Sequence, residues 1–130
     1  MYQYHFNLNV LEVVLILKLR VAAYIRISKK EKEVNSISNQ KDLIDYYIKD
    51  KEDMKIYNYY VDNGYSGTSF DRPELKRMLK DISNKKVDII AVKNLSRLGR
   101  NYIEVGELLD SILPLYDVKL ISINDNIDGL

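Results

Sequence analysis

LRVAAYIRIS, residues 19–28, is apolar and rich in β-branched side chains until it closes on Arg26 and Ser28. That composition suits a central strand covered on both faces. A charged, polar loop follows over 29–36. From Ser36 or Ser38 to about Asp50, the placing of Ile37, Ile44, Tyr47 and Ile48 predicts an amphipathic helix. MKIYNYYVD (54–62) reads as a second strand, and NGYSGTSF (63–70) as a flexible loop with two glycines. Asp71-Arg72-Pro73-Glu74 has the form of a helix start: an acidic N-cap, an early proline and a glutamate three residues after the cap. Leu75, Met78, Leu79 and Ile82 then mark a helical face. VDIIAV (87–92) is a third strand; Val105, Leu108, Leu109 and Ile112 line another helix, which Pro114 is expected to end; VKLISI (118–123) is a fourth strand. The order β-α-β-α-β-α-β predicts an α/β fold of three layers, a mostly parallel four- to five-stranded sheet with helices on both faces.

A chain of 130 residues, 46% of them apolar, suffices for one domain with a core and argues against disorder. The 20 basic side chains nearly balance the 19 acidic ones, so net charge alone does not point to a polyanion. With no cysteine, disulfides and thiolate metal sites are excluded, and a reducing, cytoplasmic setting fits. His5 is the only histidine, which argues against a histidine metal cluster or a Ser–His dyad. Residues 1–17 stand apart. Tyr2, Tyr4, Phe6, Leu8 and Val10 alternate with polar residues as in a half-buried strand, and VLEVVLIL is too short to span a membrane. The region lacks the features of a signal peptide and is read as an extra strand or a leader, dispensable for chemistry.

In open parallel sheets, ligands gather beyond the carboxyl ends of the strands. Arg26 and Ser28 follow the first strand, the GYSGTSFDR loop the second, and NLSRLGR (94–100) the third. Arginine keeps its charge and offers a planar fork that matches phosphate oxygens. A cluster of Arg26, Arg72, Arg97 and Arg100 beside the Ser28 hydroxyl would favour its ionised form and the charge of a pentacoordinate phosphorus. Such a scheme calls for no metal and no cofactor. Each residue has a plainer reading. Ser28 would serve as a loop hydroxyl or helix cap, Arg97 and Arg100 as a solvated pair, and Gly99 as backbone relief or room for a close partner. Arg72 alone demands a reason, because a cation at a helix N-terminus opposes the helix dipole.

Taken together, these segments are similar to the serine recombinase family of resolvases, invertases and large serine integrases and transposases. Tyr24-Ile25-Arg26-Ile27-Ser28 resembles its Y-x-R-x-S signature, Gly64 to Pro73 its glycine–serine loop ending in Arg-Pro, and Lys93 to Arg100 its K-x-L-x-R-L-G-R block; Ser38 and Gln40 continue the match. The wording of the loop is most like the large serine recombinase branch. The resemblance runs from about Lys18 to Asn126 and sets the catalytic domain at 18–130. It implies that Ser28 is a nucleophile forming a 5′-phosphoserine link to DNA. Arg26, Arg72, Arg97 and Arg100 would form the anion site, with Tyr24, Gln40 and Ser96 in support and Gly99 letting a DNA strand approach. It further implies DNA as partner and a homodimer that pairs into a tetramer, with no membrane involved.

Two departures from the family matter. Ser96 stands where many members carry aspartate, which leaves the general base open; Ser96 is expected to cap the turn that presents Arg97. The family's long helix and DNA-binding domains would lie beyond Leu130, so the isolated chain is expected to be inactive and to bind DNA weakly. A silent dimerisation or regulatory remnant is the alternative. A receiver-like domain would need acidic residues where Arg26 and Ser28 stand.

Overall fold

A computed structural model describes residues 9–31 and 36–128, without the side chains of 14–17. The strand expected from Tyr2 to Val10 therefore lies almost wholly outside the described residues, as does His5. Residues 10–17 correct the reading of an extra strand: Val10–Leu17 is a helix, α1. Asn9 caps it in a reciprocal box, its Oδ1 accepting from the Glu12 N–H at 2.8 Å while Glu12 Oε2 accepts from the Asn9 N–H at 3.2 Å. Glu12, read as an interruption of an apolar run, is what closes the box. No helix among the described residues is long and apolar enough to cross a membrane.

The elements that follow are β1 (Leu19–Ile27), α2 (Ile37–Lys49), β2 (Met54–Asn63), α3 (Pro73–Ser83), β3 (Ile89–Val92) and a single turn α4 (Leu95–Leu98). Then come α5 (Tyr102–Glu107), a π-helical turn (Leu108–Ile112), α6 (Leu113–Leu115), β4 (Lys119–Ser122) and β5 (Ile127–Asp128). The sheet order is β2-β1-β3-β4-β5, parallel throughout except for β5, which runs antiparallel to β4. This is the expected three-layer α/β arrangement.

Alternation along β1 separates two cores. Val21, Ala23 and Ile25 pack with Ile89, Ala91 and Ile121 against Ile44 and Ile48 of α2. Ala22 and Tyr24 join Ile90 and Val92 on the other face, under Leu75, Met78 and Ile82 of α3 and Leu108 and Leu113. Each valine, leucine, isoleucine or methionine among them, fully buried, contributes about 1.5–3 kcal/mol. At the far end of the sheet, Arg20 ties β1 to the start of β3: its Nε donates to Asp88 Oδ2 at 3.0 Å and its Nη2 to Oδ1 at 3.2 Å.

Two helix ends differ from expectation. The residue capping α3 is Arg72, not Asp71, and its side chain makes no cap bond. Asp71 instead points outward to Lys76, and Glu74 pairs with Arg77. The first free N–H groups of α3, on Glu74 and Leu75, are taken by the two carboxylate oxygens of Asp62 at the end of β2, both at 3.0 Å. The helix is thus capped from another element. Pro114 does not end its helix, which runs on to Leu115. Proline's φ fits a helix and only its N–H is missing; the preceding π turn changes the bonding partners just before it.

Candidate active site

β1 ends against the loop after β2 and the turn after β3, so three strand ends meet. Gly64, at φ +88°, turns the chain out of β2 in a region that disfavours side chains. The following loop, expected from its glycines to be flexible, is tied down. Gly64 and Tyr65 give their N–H groups to the Ile27 carbonyl at 2.7 and 3.2 Å, and the Gly67 carbonyl accepts from the Arg100 N–H at 2.5 Å.

Arg26, Arg72 and Arg97 are all buried where these ends meet. Arg26 donates from Nε to the Arg97 carbonyl (3.1 Å), from Nη1 to the Tyr65 carbonyl (3.1 Å) and from Nη2 to the Ser96 carbonyl (2.6 Å). Burial, then the charges of Arg97 and Arg72, pull its pKa down to about 10. Arg72 donates to the Ser69 carbonyl (2.8 Å), the Arg97 carbonyl (3.1 Å), the Leu98 carbonyl and the Tyr24 hydroxyl (2.8 Å). This supplies the reason for a cation at the start of α3: its head is drawn away into a nest of carbonyl oxygens, stacked over Tyr24 and Phe70. The Tyr24 hydroxyl in turn donates to Asp62 Oδ2 at 2.8 Å. Burial pushes the Tyr24 phenol well above its ordinary pKa, so it stays protonated between its two neighbours.

Arg97 reaches across to β1. Its Nη1 donates to the Arg26 carbonyl at 2.8 Å and to Glu31 Oε2 at 2.7 Å, and its Nη2 to Ser96 Oγ at 3.3 Å. The buried Gln40 amide of α2 donates to the same Arg26 carbonyl at 2.9 Å. Ser28, half-buried just beyond β1, gives its N–H to Glu31 Oε1 at 3.4 Å. Burial works against ionisation of Glu31, but the hydrogen bond and charge of Arg97, the Ser28 N–H and Arg26 outweigh it. The carboxyl is held below its usual range. Arg100 is exposed. It borders a groove of about 810 Å³ whose lining includes Leu95, Val105, Gly106 and Leu109.

Ser28, Arg26, Arg72, Arg97, Tyr24, Gln40 and Ser96 are thus linked through a few shared partners. Arg100 is joined to the group at Gly67: a Cβ there would lie 2.7 Å from Arg26 Nη2 and 3.0 Å from the Arg100 side chain. Two details bear on the sequence reading. A Cβ on Gly99 would meet Phe70 at 2.9 Å and Val105 at 3.0 Å, so this glycine makes room for the protein's own packing. Ser96 forms no backbone cap; its hydroxyl donates to Asn94 Oδ1 at 2.5 Å and accepts from Arg97. The N–H of Leu95, in the first turn of α4, is taken by Asp125 at 2.8 Å. Glu31 and Asp62 were missed. Glu31 is one charge among several in KKEKE, and Asp62 is the polar end of an apolar strand, a signal that could have been followed.

A family model described as "Resolvase, N terminal domain" matches residues 21–130. The chain belongs to the resolvase family. Among solved structures, the N-terminal catalytic domain of TP901-1 integrase is 32% identical with a TM-score of 0.78, over 84% of this chain and 81% of that one. A resolvase family site-specific recombinase from Streptococcus pneumoniae is 33% identical with a TM-score of 0.69, over 85% of this chain and 76% of that one. A serine recombinase from Sulfolobus solfataricus, 22% identical with a TM-score of 0.66 over 87% and 72% of the two chains, shares the fold. No curated protein sequence matches the chain. The resolvase-family fold and the likeness to serine recombinase catalytic domains agree with what Tyr24–Ser28 and Lys93–Arg100 suggested.

Proposed function

We propose that this domain, residues 18–130, breaks and rejoins DNA with Ser28 as nucleophile. Ser28 Oγ attacks the phosphorus of a phosphodiester, a bond from serine oxygen to phosphorus forms, and the bond to the 3′ oxygen breaks. That oxygen leaves with a proton as a free 3′ hydroxyl, while the 5′ phosphate stays on the serine. The phosphoserine ester retains the energy of the original linkage, so reversal by another 3′ hydroxyl rejoins DNA without a nucleotide cofactor. The observation that carries this reading is the burial of three arginine side chains where β1 delivers Ser28. Buried cations so close together repel one another and favour an anion.

Within this proposal the arginines differ in task. Arg97 and Arg100 reach the phosphate, Arg100 from its exposed position. Arg26 and Arg72, engaged with carbonyl oxygens, hold the turn and supply positive potential behind it. Tyr24, Gln40 and Ser96 position these groups. DNA is the substrate, and assembly as a homodimer that pairs into a tetramer would bring the cut ends together.

The test is a covalent-adduct assay on a suicide DNA substrate, using a longer polypeptide that supplies DNA-binding domains. The parent should trap DNA on Ser28. Ser28→Ala should trap none, while its unfolding free energy changes by less than about 0.5 kcal/mol, as for a partly exposed side chain. An adduct with the alanine variant would overturn the assignment, and no adduct with the parent would favour a silent remnant.

A further inference from the structure

Arg97 differs from the other two buried arginines. Arg26 and Arg72 give every side-chain nitrogen to a main-chain carbonyl or to Tyr24. Arg97 keeps a buried Nε with no acceptor among the described residues, and it faces a carboxylate, Glu31, at 2.7 Å. That carboxylate is itself largely enclosed, with 12% of its side chain exposed. Its two oxygens lie against the Arg97 guanidinium and the Ser28 main-chain N–H. A phosphate brought to Ser28 would compete with Glu31 for the Arg97 guanidinium.

We infer that Glu31 occupies the phosphate's place on Arg97 in the DNA-free chain and must swing out before Ser28 can react. This rests on the reading of Ser28 and Arg97 as a phosphate site. A phosphate on the same guanidinium would repel the Glu31 carboxylate, and that repulsion favours its displacement. Until then Glu31 neutralises Arg97, whose charge would otherwise be buried without an ionic partner. The resting site is thereby self-filled, and loose anions of the cell must compete with a carboxylate held within the chain.

Inorganic phosphate titrated into the 130-residue chain reads this place without any DNA chemistry. Glu31→Gln should bind phosphate at least about tenfold more tightly than the parent, since one nearby negative charge is removed. Adding Arg97→Gln to that variant should abolish the gain. Equal or weaker binding by Glu31→Gln, or no binding by either chain, would overturn the inference. The unchanged chain gives a second readout in case the variant does not fold. Saturating phosphate should raise the Glu31 carboxyl pKa, followed by carbon NMR, toward its ordinary value. An unmoved pKa would also overturn the inference. Ser28 adduct formation is scored separately, so the gate can fail while the recombinase reading stands, and the reverse.

Discussion

Removing one oxygen atom, by Tyr24→Phe, would leave Arg72 Nη1 with one acceptor fewer and Asp62 Oδ2 without the hydroxyl that donates to it. Because the phenol is buried, water cannot easily replace it, and the change should cost about 1–3 kcal/mol by urea unfolding. A loss below about 0.5 kcal/mol would show that the Arg72–Tyr24–Asp62 chain does not stiffen the site. At this scale the sequence was partly legible. Arg26, Ser28, Arg97 and Arg100 stood out through residue type and position at strand ends. Glu31 did not, because nothing in the spacing of KKEKE says which carboxylate turns inward. Asp62 did not, because its partners on α3 are distant in sequence and meet it only when the helix docks.

Glycines test the elements directly. Gly67 lies so close to Arg26 that a Cβ would come within 2.7–2.9 Å of a buried guanidinium already fixed by three carbonyls. Gly67→Ala should therefore destabilise the chain by about 1–3 kcal/mol and slow any DNA cleavage. Gly106, inside α5, has nothing within 4 Å of its Cβ position. Gly106→Ala should stabilise by about 0.5–1 kcal/mol, because alanine restricts the unfolded chain. Thermal unfolding of both variants checks the pair; similar shifts would mean that the contact at Gly67 is relieved easily. Helix and strand positions were readable from periodicity, but helix ends were less so. Asp71 and Glu74 satisfied a local capping pattern, yet Asp62 supplied the cap from another strand. The short β5 offered too few residues for any period to register.

For the molecule as a whole, acid is the informative stress. The Arg20 guanidinium beside Asp88 holds that carboxyl below its usual range, and Glu31 is held down likewise. Carboxyls depressed in the folded state add stability that is fully present above their unfolded pKa of about 4 and is lost as pH falls through the folded values. Urea midpoints should thus be level near neutrality and decline below about pH 4. Glu31→Gln and Asp88→Asn should each lower stability at pH 7 and flatten that decline. An unchanged acid slope in both would show that these pairs do not govern it. The global architecture was the most legible level of all, since alternating strand and helix signals leave few ways to arrange a parallel sheet.

Arg26 and Arg72 grip the oxygens of residues 96, 97 and 98, which every amino acid possesses. That part of the grip is therefore blind to side-chain identity and strict about chain length. Over generations, Ser96 could be exchanged without unfastening either arginine, whereas one residue inserted or deleted in this turn would misalign all three oxygens at once. Drift by substitution is open to the segment; drift by insertion or deletion is closed.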